Sequence, residues 1–163
     1  MVHALIVSPK MTFNFLSEND IKPIEDVALL GMGSLAMMKL GDSDGEYQPR
    51  ADDLVRDLEA FLKDTVSHPD MDPDDPIVPN MMSKLFGFSF VWACGYRWAK
   101  NPLKYAHAAD VVVSPDERYY INPLDLVVSF MDDERPSLSQ LLIDAYYGNF
   151  PENASPTQIP IED

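Results

Sequence analysis

Four aspartates in one short stretch have the spacing that most resembles a cation site. Asp70, Asp72, Asp74 and Asp75 place carboxylates at nearly alternate positions, and a calcium loop supplies its oxygen ligands in that way. The stretch has no glycine at the sixth position, a proline interrupts it, and Met81 stands where a calcium loop has its bidentate glutamate. We therefore interpret it as a solvated acidic loop, with calcium as the alternative.

A nucleophilic site is the second chemistry that the residue types allow. Cys94, His107 and Asp110 are the types of a thiol nucleophile, its base and an orienting acid. A reactive thiolate needs partly exposed, positively charged surroundings, whereas Cys94 lies in the least polar predicted helix of the chain. We interpret it as a structural thiol. The three histidines lack the spacing of zinc ligands, and no phosphate loop or hydrolase motif occurs, so we predict no catalytic residue, metal or cofactor.

Charge is the strongest property of the composition. The chain has 27 acids and 12 bases, a net charge of −15. This disfavours nucleic acid and anionic membranes as partners, because both are bound through Lys and Arg. It favours a basic partner, mimicry of nucleic acid or simple solubility. The single cysteine and the absence of a signal-peptide pattern predict a cytoplasmic protein without an internal disulfide. The oligomeric state is left open.

The candidate partner-binding residues come from three acidic segments and one tyrosine pair. Neighbouring residues on a strand point to opposite faces, so we expect one tyrosine of the pair to be exposed, where it can anchor a partner. The full set is Asp42, Asp44, Glu46, Asp52, Asp53, Asp57, Asp70, Asp72, Asp74, Asp75, Tyr119 and Tyr120.

A central apolar helix is predicted to organise these segments. Residues 81–98 contain no acid, and their only bases are Lys84 and Arg97. A helix that is apolar nearly all round is a buried one. We expect Trp92 to lie on one of its buried stripes.

The other elements follow from caps, breakers and periodicity. We predict an α+β fold of about five helices on an antiparallel sheet of about three strands. It forms one domain over 1–150, with an acidic helical half (1–80), a second half (81–150) and an extended tail (151–163). The helices run from Ser17 or Asp20, with Pro23 in the first turn, to Gly41, over 50–66, over 81–98, from Asn122-Pro123, and from Ser137 to Gly148. The strands lie within 96–100, 106–114 and 117–123, with 4–7 as an edge strand or tucked arm, and 67–80 is a loop.

The second half carries a recognisable pattern. Its apolar helix ends in G-x-x-W at Gly95 and Trp98, a hairpin follows with V-V-x-P-x-x-R-Y-x-I-x-P over 112–123, and a helix and a leucine-rich helix complete it. This pattern resembles small bacterial domains found among immunity proteins, which are encoded beside antagonistic toxins. The resemblance implies a protein that acts by binding and carries no catalytic residue.

Three functional hypotheses result. The first is an immunity protein of an effector–immunity pair, as in type VI secretion, which neutralises a basic toxin by covering it with an acidic surface. The second is a DNA mimic of the anti-defence type, which requires pairs of carboxylates along an elongated face. The third is a small enzyme, which requires a concave pocket with perturbed titratable groups.

Overall fold

A computed structural model describes residues 5–6, for which only the backbone is considered, 12–102 and 109–148. His107 and the predicted tail, 151–163, lie outside these residues. Within them, five helices pack on a four-stranded antiparallel sheet, so the predicted α+β class is confirmed. The fourth strand is the predicted edge strand. In chain order the elements are β1 (Leu5–Ile6), α1 (Glu18–Leu40), α2 (Ala51–Ser67), α3 (Ile77–Cys94), β2 (Arg97–Ala99), β3 (Val111–Val113), β4 (Tyr119–Ile121), α4 (Pro123–Asp133) and α5 (Leu138–Tyr147).

Helix α3 is the predicted central helix, but both of its predicted ends are wrong. It begins at Ile77 rather than at residue 81, because the first turn of a helix needs few backbone donors and so accepts Pro79. It ends at Cys94, because Gly95 takes the left-handed conformation (φ 71°) and its N–H bonds to the carbonyls of the last turn. Tyr96 and Trp98 therefore lie beyond the helix.

Helix α3 contacts the other four helices and supplies more of the largest fully buried side chains than any other helix. Met82, Leu85, Phe86 and Phe90 are completely inaccessible to solvent. The prediction of burial is wrong at Trp92, which is 50% exposed. No helix among the described residues combines the length and apolar character needed to cross a bilayer.

Gly87 marks the place where the sheet meets α3. A β-carbon at this position would overlap the ring of Trp98 and would lie 3.1 Å from Cγ of Pro123. Only glycine lets the indole of β2 and the first residue of α4 approach the helix this closely. The close approach fixes β2 and α4 against the same side of α3.

Helix caps agree with the sequence at five of the expected positions, the fifth being Gly148 (φ 68°) at the end of α5. Ser17 accepts a hydrogen bond from the N–H of Asp20, Asn122 from Asp125, and Ser137 from Gln140. Gly41 ends α1 with φ 56°. Pro23 lies one turn further into α1 than predicted, because that helix already begins at Glu18.

The sheet has the order β1-β4-β3-β2 and two differently covered faces. Trp98, Val112 and Ile121 point to the helices, because they belong to the main core. The alternate residues of the same strands form a second, smaller core with Phe13 and Phe15. These alternate residues are Ala99, Val111, Val113 and Tyr120. The predicted hairpin is β3–β4, in which Val113 pairs with Tyr120.

Candidate partner-binding surface

Asp52, Asp53 and Asp57, which we call the paired patch, lie at the N-terminal end of α2 and are bonded to neighbours. Nη1 of Arg56 lies 3.4 Å from Asp52 and 3.1 Å from Asp53. Asp57 is 3.5 Å from Nζ of Lys39. Each carboxylate in the patch therefore has a base within reach, which reduces the field it presents to a partner.

Asp57 also ties the preceding loop to α2. It accepts a hydrogen bond of 2.7 Å from the hydroxyl of Tyr47. Burial and this bond to an anionic acceptor both raise the pKa of Tyr47 well above its usual range. Asp57 is thus occupied by internal contacts, which makes it a structural residue as well as a predicted binding residue.

The acids of the connecting loop are exposed. Asp42 and Asp44 form no salt bridge with a described residue, and Glu46 accepts a hydrogen bond of 2.9 Å from Nε2 of Gln48. The loop lies beside the paired patch, because Glu46, Tyr47, Asp53 and Asp57 line one shallow depression. These two predicted acidic segments therefore belong to one surface.

The third predicted segment lines a separate groove of about 500 Å³ at the other end of α2. We call it the acidic groove. Its acidic side chains are Asp64, Asp70, Asp72 and Asp75, and its apolar side chains are Phe61, Met71, Val78 and Met131. It lies where the C-terminal parts of α2 and α4 meet the first turn of α3. Asp74 lies in the same loop and is exposed.

The loop that carries three of these acids is ordered by its own carboxylates. Oδ1 of Asp72 accepts a hydrogen bond of 2.9 Å from the N–H of Asp74. Oδ1 of Asp75 accepts one of the same length from Ile77 at the start of α3. Among the residues that the structure describes, no three His, Cys, Asp or Glu side chains are arranged to hold a metal ion. Calcium thus gains no support from the geometry.

The lining of the acidic groove has four carboxylates and one basic side chain, the imidazole of His68. None of its four carboxylates forms a salt bridge with a described base. The last turns of α2 and α4 contain no basic residue, so the negative ends of two helix dipoles add to the same field. Lys63 of α2 lies 3.9 Å from Glu134 and outside the lining of the groove.

The tyrosine prediction is wrong for Tyr120. Its side chain is 1% exposed and packs edge-on against Phe13 with the ring centres 5.5 Å apart. Tyr120 is buried because the second core covers its face of the sheet. The alternation of side chains along a strand does not predict that this face is covered. Tyr119 is half-buried, with the guanidinium of Arg118 5.6 Å from its ring centre. It is the only one of the two that a partner can reach.

An exposed tyrosine pair elsewhere was missed as a candidate. Tyr146 and Tyr147, in the last turn of α5, are 62% and 68% exposed and meet edge to face. They line a depression of about 410 Å³ with Arg50. The sequence indicates that this pair is exposed, because it lies just before the helix-ending Gly148 and after the leucines of α5 that reach the core.

The predicted residues therefore do not form one surface. Asp70, Asp72 and Asp75 come together in the acidic groove and are joined there by Asp64, which was not predicted. The paired patch and the 42–46 loop lie at the opposite end of α2. No protein-family model, curated protein or solved structure matches this chain. The resemblance of the second half to immunity proteins thus stays a prediction.

Proposed function

We propose that this protein is an immunity-type protein that binds a basic protein toxin in its acidic groove. The observation that carries the proposal is the contrast within the described acids. Those of the paired patch form salt bridges with Lys or Arg, while those of the groove form none with a described base. A partner's Lys or Arg would supply the missing counter-charge at little desolvation cost to groups already exposed.

The composition of the groove fits a long basic side chain. Lys and Arg have an apolar stem and a charged head. Phe61, Met71, Val78 and Met131 can cover the stem, while Asp64, Asp70 and Asp72 take the head. Such an arrangement steers a basic surface during encounter and holds it afterwards, so neutralisation would follow from occluding the toxin's functional surface.

The test uses two variants with the same change in charge. The groove variant is Asp70→Asn with Asp72→Asn, and the patch variant is Asp52→Asn with Asp53→Asn. Tagged wild type and both variants are used to recover partners from cells of the source organism at low and high salt. A recovered basic protein is then expressed in a bacterial host with each form, and growth is measured.

We expect the wild type and the patch variant to restore growth and the groove variant to fail. Recovery of no basic protein at any salt would contradict the proposal, as would equal protection by both variants. A DNA-binding protein that duplex DNA releases from the complex would instead favour the DNA-mimic hypothesis.

A further inference from the structure

A second cavity, of about 240 Å³, shares no lining residue with the acidic groove. It is bounded by α1, α3, β2 and the start of α4, and its polar lining consists of Asn80, Ser83, Lys84, Trp98 and Asp110. It combines a concave shape with titratable groups, which is the feature that the enzyme hypothesis requires.

Lys84 brings a positive charge to this cavity. Its Nζ donates a hydrogen bond of 2.6 Å to Oδ1 of Asn80. Burial lowers the pKa of Lys84, and the negative charge of Asp110 opposes that effect. No salt bridge among the described residues includes Lys84, so its ammonium group retains donors for an acceptor in the cavity.

Asp110 brings a negative charge to the same space. Burial raises the pKa of its carboxyl, while Lys84 and Lys100 pull it down. Asp110 and Lys84 feel each other's charge, yet they do not come within the 4.0 Å of a salt bridge. Two opposite, partly desolvated charges therefore line one cavity without direct pairing.

Trp98 supplies an independent observation on the same cavity. Its side chain is 4% exposed, and its Nε1 is a buried donor without a hydrogen-bond partner in the described parts of the chain. Buried polar groups are nearly always hydrogen-bonded, and an exception calls for an unobserved water, ion or ligand. Since Trp98 lines the cavity, an acceptor bound there is a candidate partner for this donor.

We infer that this cavity binds a small zwitterion of the free amino acid class. Its carboxylate would accept hydrogen bonds from Lys84 and from Nε1 of Trp98, and its ammonium group would pair with Asp110. The volume of about 240 Å³ is below the roughly 300 Å³ at which pockets for drug-sized ligands begin. A ligand with both charges satisfies all three groups, whereas a simple anion would leave Asp110 without a counter-charge.

Tryptophan fluorescence tests this inference directly. The chain has two tryptophans, and Trp92→Phe removes the exposed one, so that emission reports on Trp98. The standard amino acids are titrated singly, together with acetate and methylamine, which carry one charge each. We expect saturable binding of at least one amino acid, with a Kd below about 1 mM, and weaker binding of both single-charge compounds.

Two variants in the same background identify the site. Lys84→Met and Asp110→Asn should each weaken binding at least about tenfold, because each removes one charge-assisted contact. Lys63→Met, on α2 and outside the cavity, should leave it unchanged. Circular dichroism checks that each variant is folded. The inference is wrong if no amino acid at about 10 mM alters the emission, or if acetate binds as well as any amino acid. Both outcomes can be observed without changing any residue of the cavity.

Discussion

The two ends of α2 carry similar numbers of carboxylates in opposite electrostatic settings. At the N-terminal end, Asp52 and Asp53 share Arg56, one turn along the same helix. At the C-terminal end, Asp64 faces the loop of Asp70 and Asp72, and no basic residue stands in the last turn. The difference shows that a count of acids does not locate a binding surface. What matters is whether a Lys or Arg lies within ion-pairing distance in the folded chain.

The largest expected effect is on the binding of a basic ligand. A short arginine-rich peptide should bind the groove variant about tenfold more weakly than wild type at low salt, because charge-assisted contacts are lost. The patch variant should bind within about twofold of wild type, since its carboxylates are already paired. Fluorescence anisotropy of the labelled peptide measures both affinities. Equal losses in the two variants would remove the distinction between the regions.

The second effect concerns stability, which should depend more on the paired patch than on the acidic groove. Asp57→Ala leaves the half-buried hydroxyl of Tyr47 without its acceptor, and should cost about 1–2 kcal/mol of unfolding free energy. Asp64→Ala, also in α2 but in the groove, should change it by less than about 0.5 kcal/mol. Urea denaturation gives both values. A larger loss for Asp64→Ala would show that the groove acid is the structural one.

A smaller effect is expected from salt. Uncompensated acids repel one another, and added salt screens that repulsion. Raising sodium chloride from about 0.05 to about 0.5 M should therefore stabilise the wild type by roughly half a kcal/mol. This salt-induced stabilisation should persist in the patch variant and diminish in the groove variant. Thermal unfolding at each salt concentration provides the comparison, and an undiminished increase in the groove variant would contradict it.

The smallest effect is at alkaline pH and belongs to the paired patch. The folded protein holds the proton of Tyr47 at a pH where the unfolded chain has lost it, so the contribution to stability is complete below about pH 10 and declines as pH rises further. Burial is the larger cause of the raised pKa and the bond to Asp57 the next. Asp57→Ala should therefore lower the pKa of Tyr47 only in part. Absorbance of tyrosinate, with Tyr47→Phe as reference, measures the change.

Local signals explain how much of this fold was predictable. Ser17, Asn122 and Ser137 cap helices through side chains a few residues from the N–H groups they bind, so the sequence contains the whole interaction. The start of α3 was missed because prolines in the first turn resemble a loop. The predicted end lies too far along the chain, because Tyr96 and Trp98 continue the apolar pattern beyond Gly95, where the helix ends.

The candidate sites were less predictable because they depend on residues distant in sequence. Asp64 and Met131 come together in the groove only because α2 and α4 pack beside α3. Lys84 and Asp110 similarly meet across a cavity that the seating of Trp98 on Gly87 helps to form. The acids of the 70–75 segment were predicted, but their lack of salt bridges with described residues was not, because ion pairing is a property of the folded chain.

Cys94 offers a direct way to follow the last turn of α3. Burial raises the pKa of its thiol to about 11, and only the thiolate reacts readily with alkylating reagents. At neutral pH the native protein should therefore be labelled slowly, and unfolding should speed labelling because it returns the thiol to its ordinary pKa. The chain contains one cysteine, so mass spectrometry of a single modification would report the loss of this turn's structure without engineering the protein.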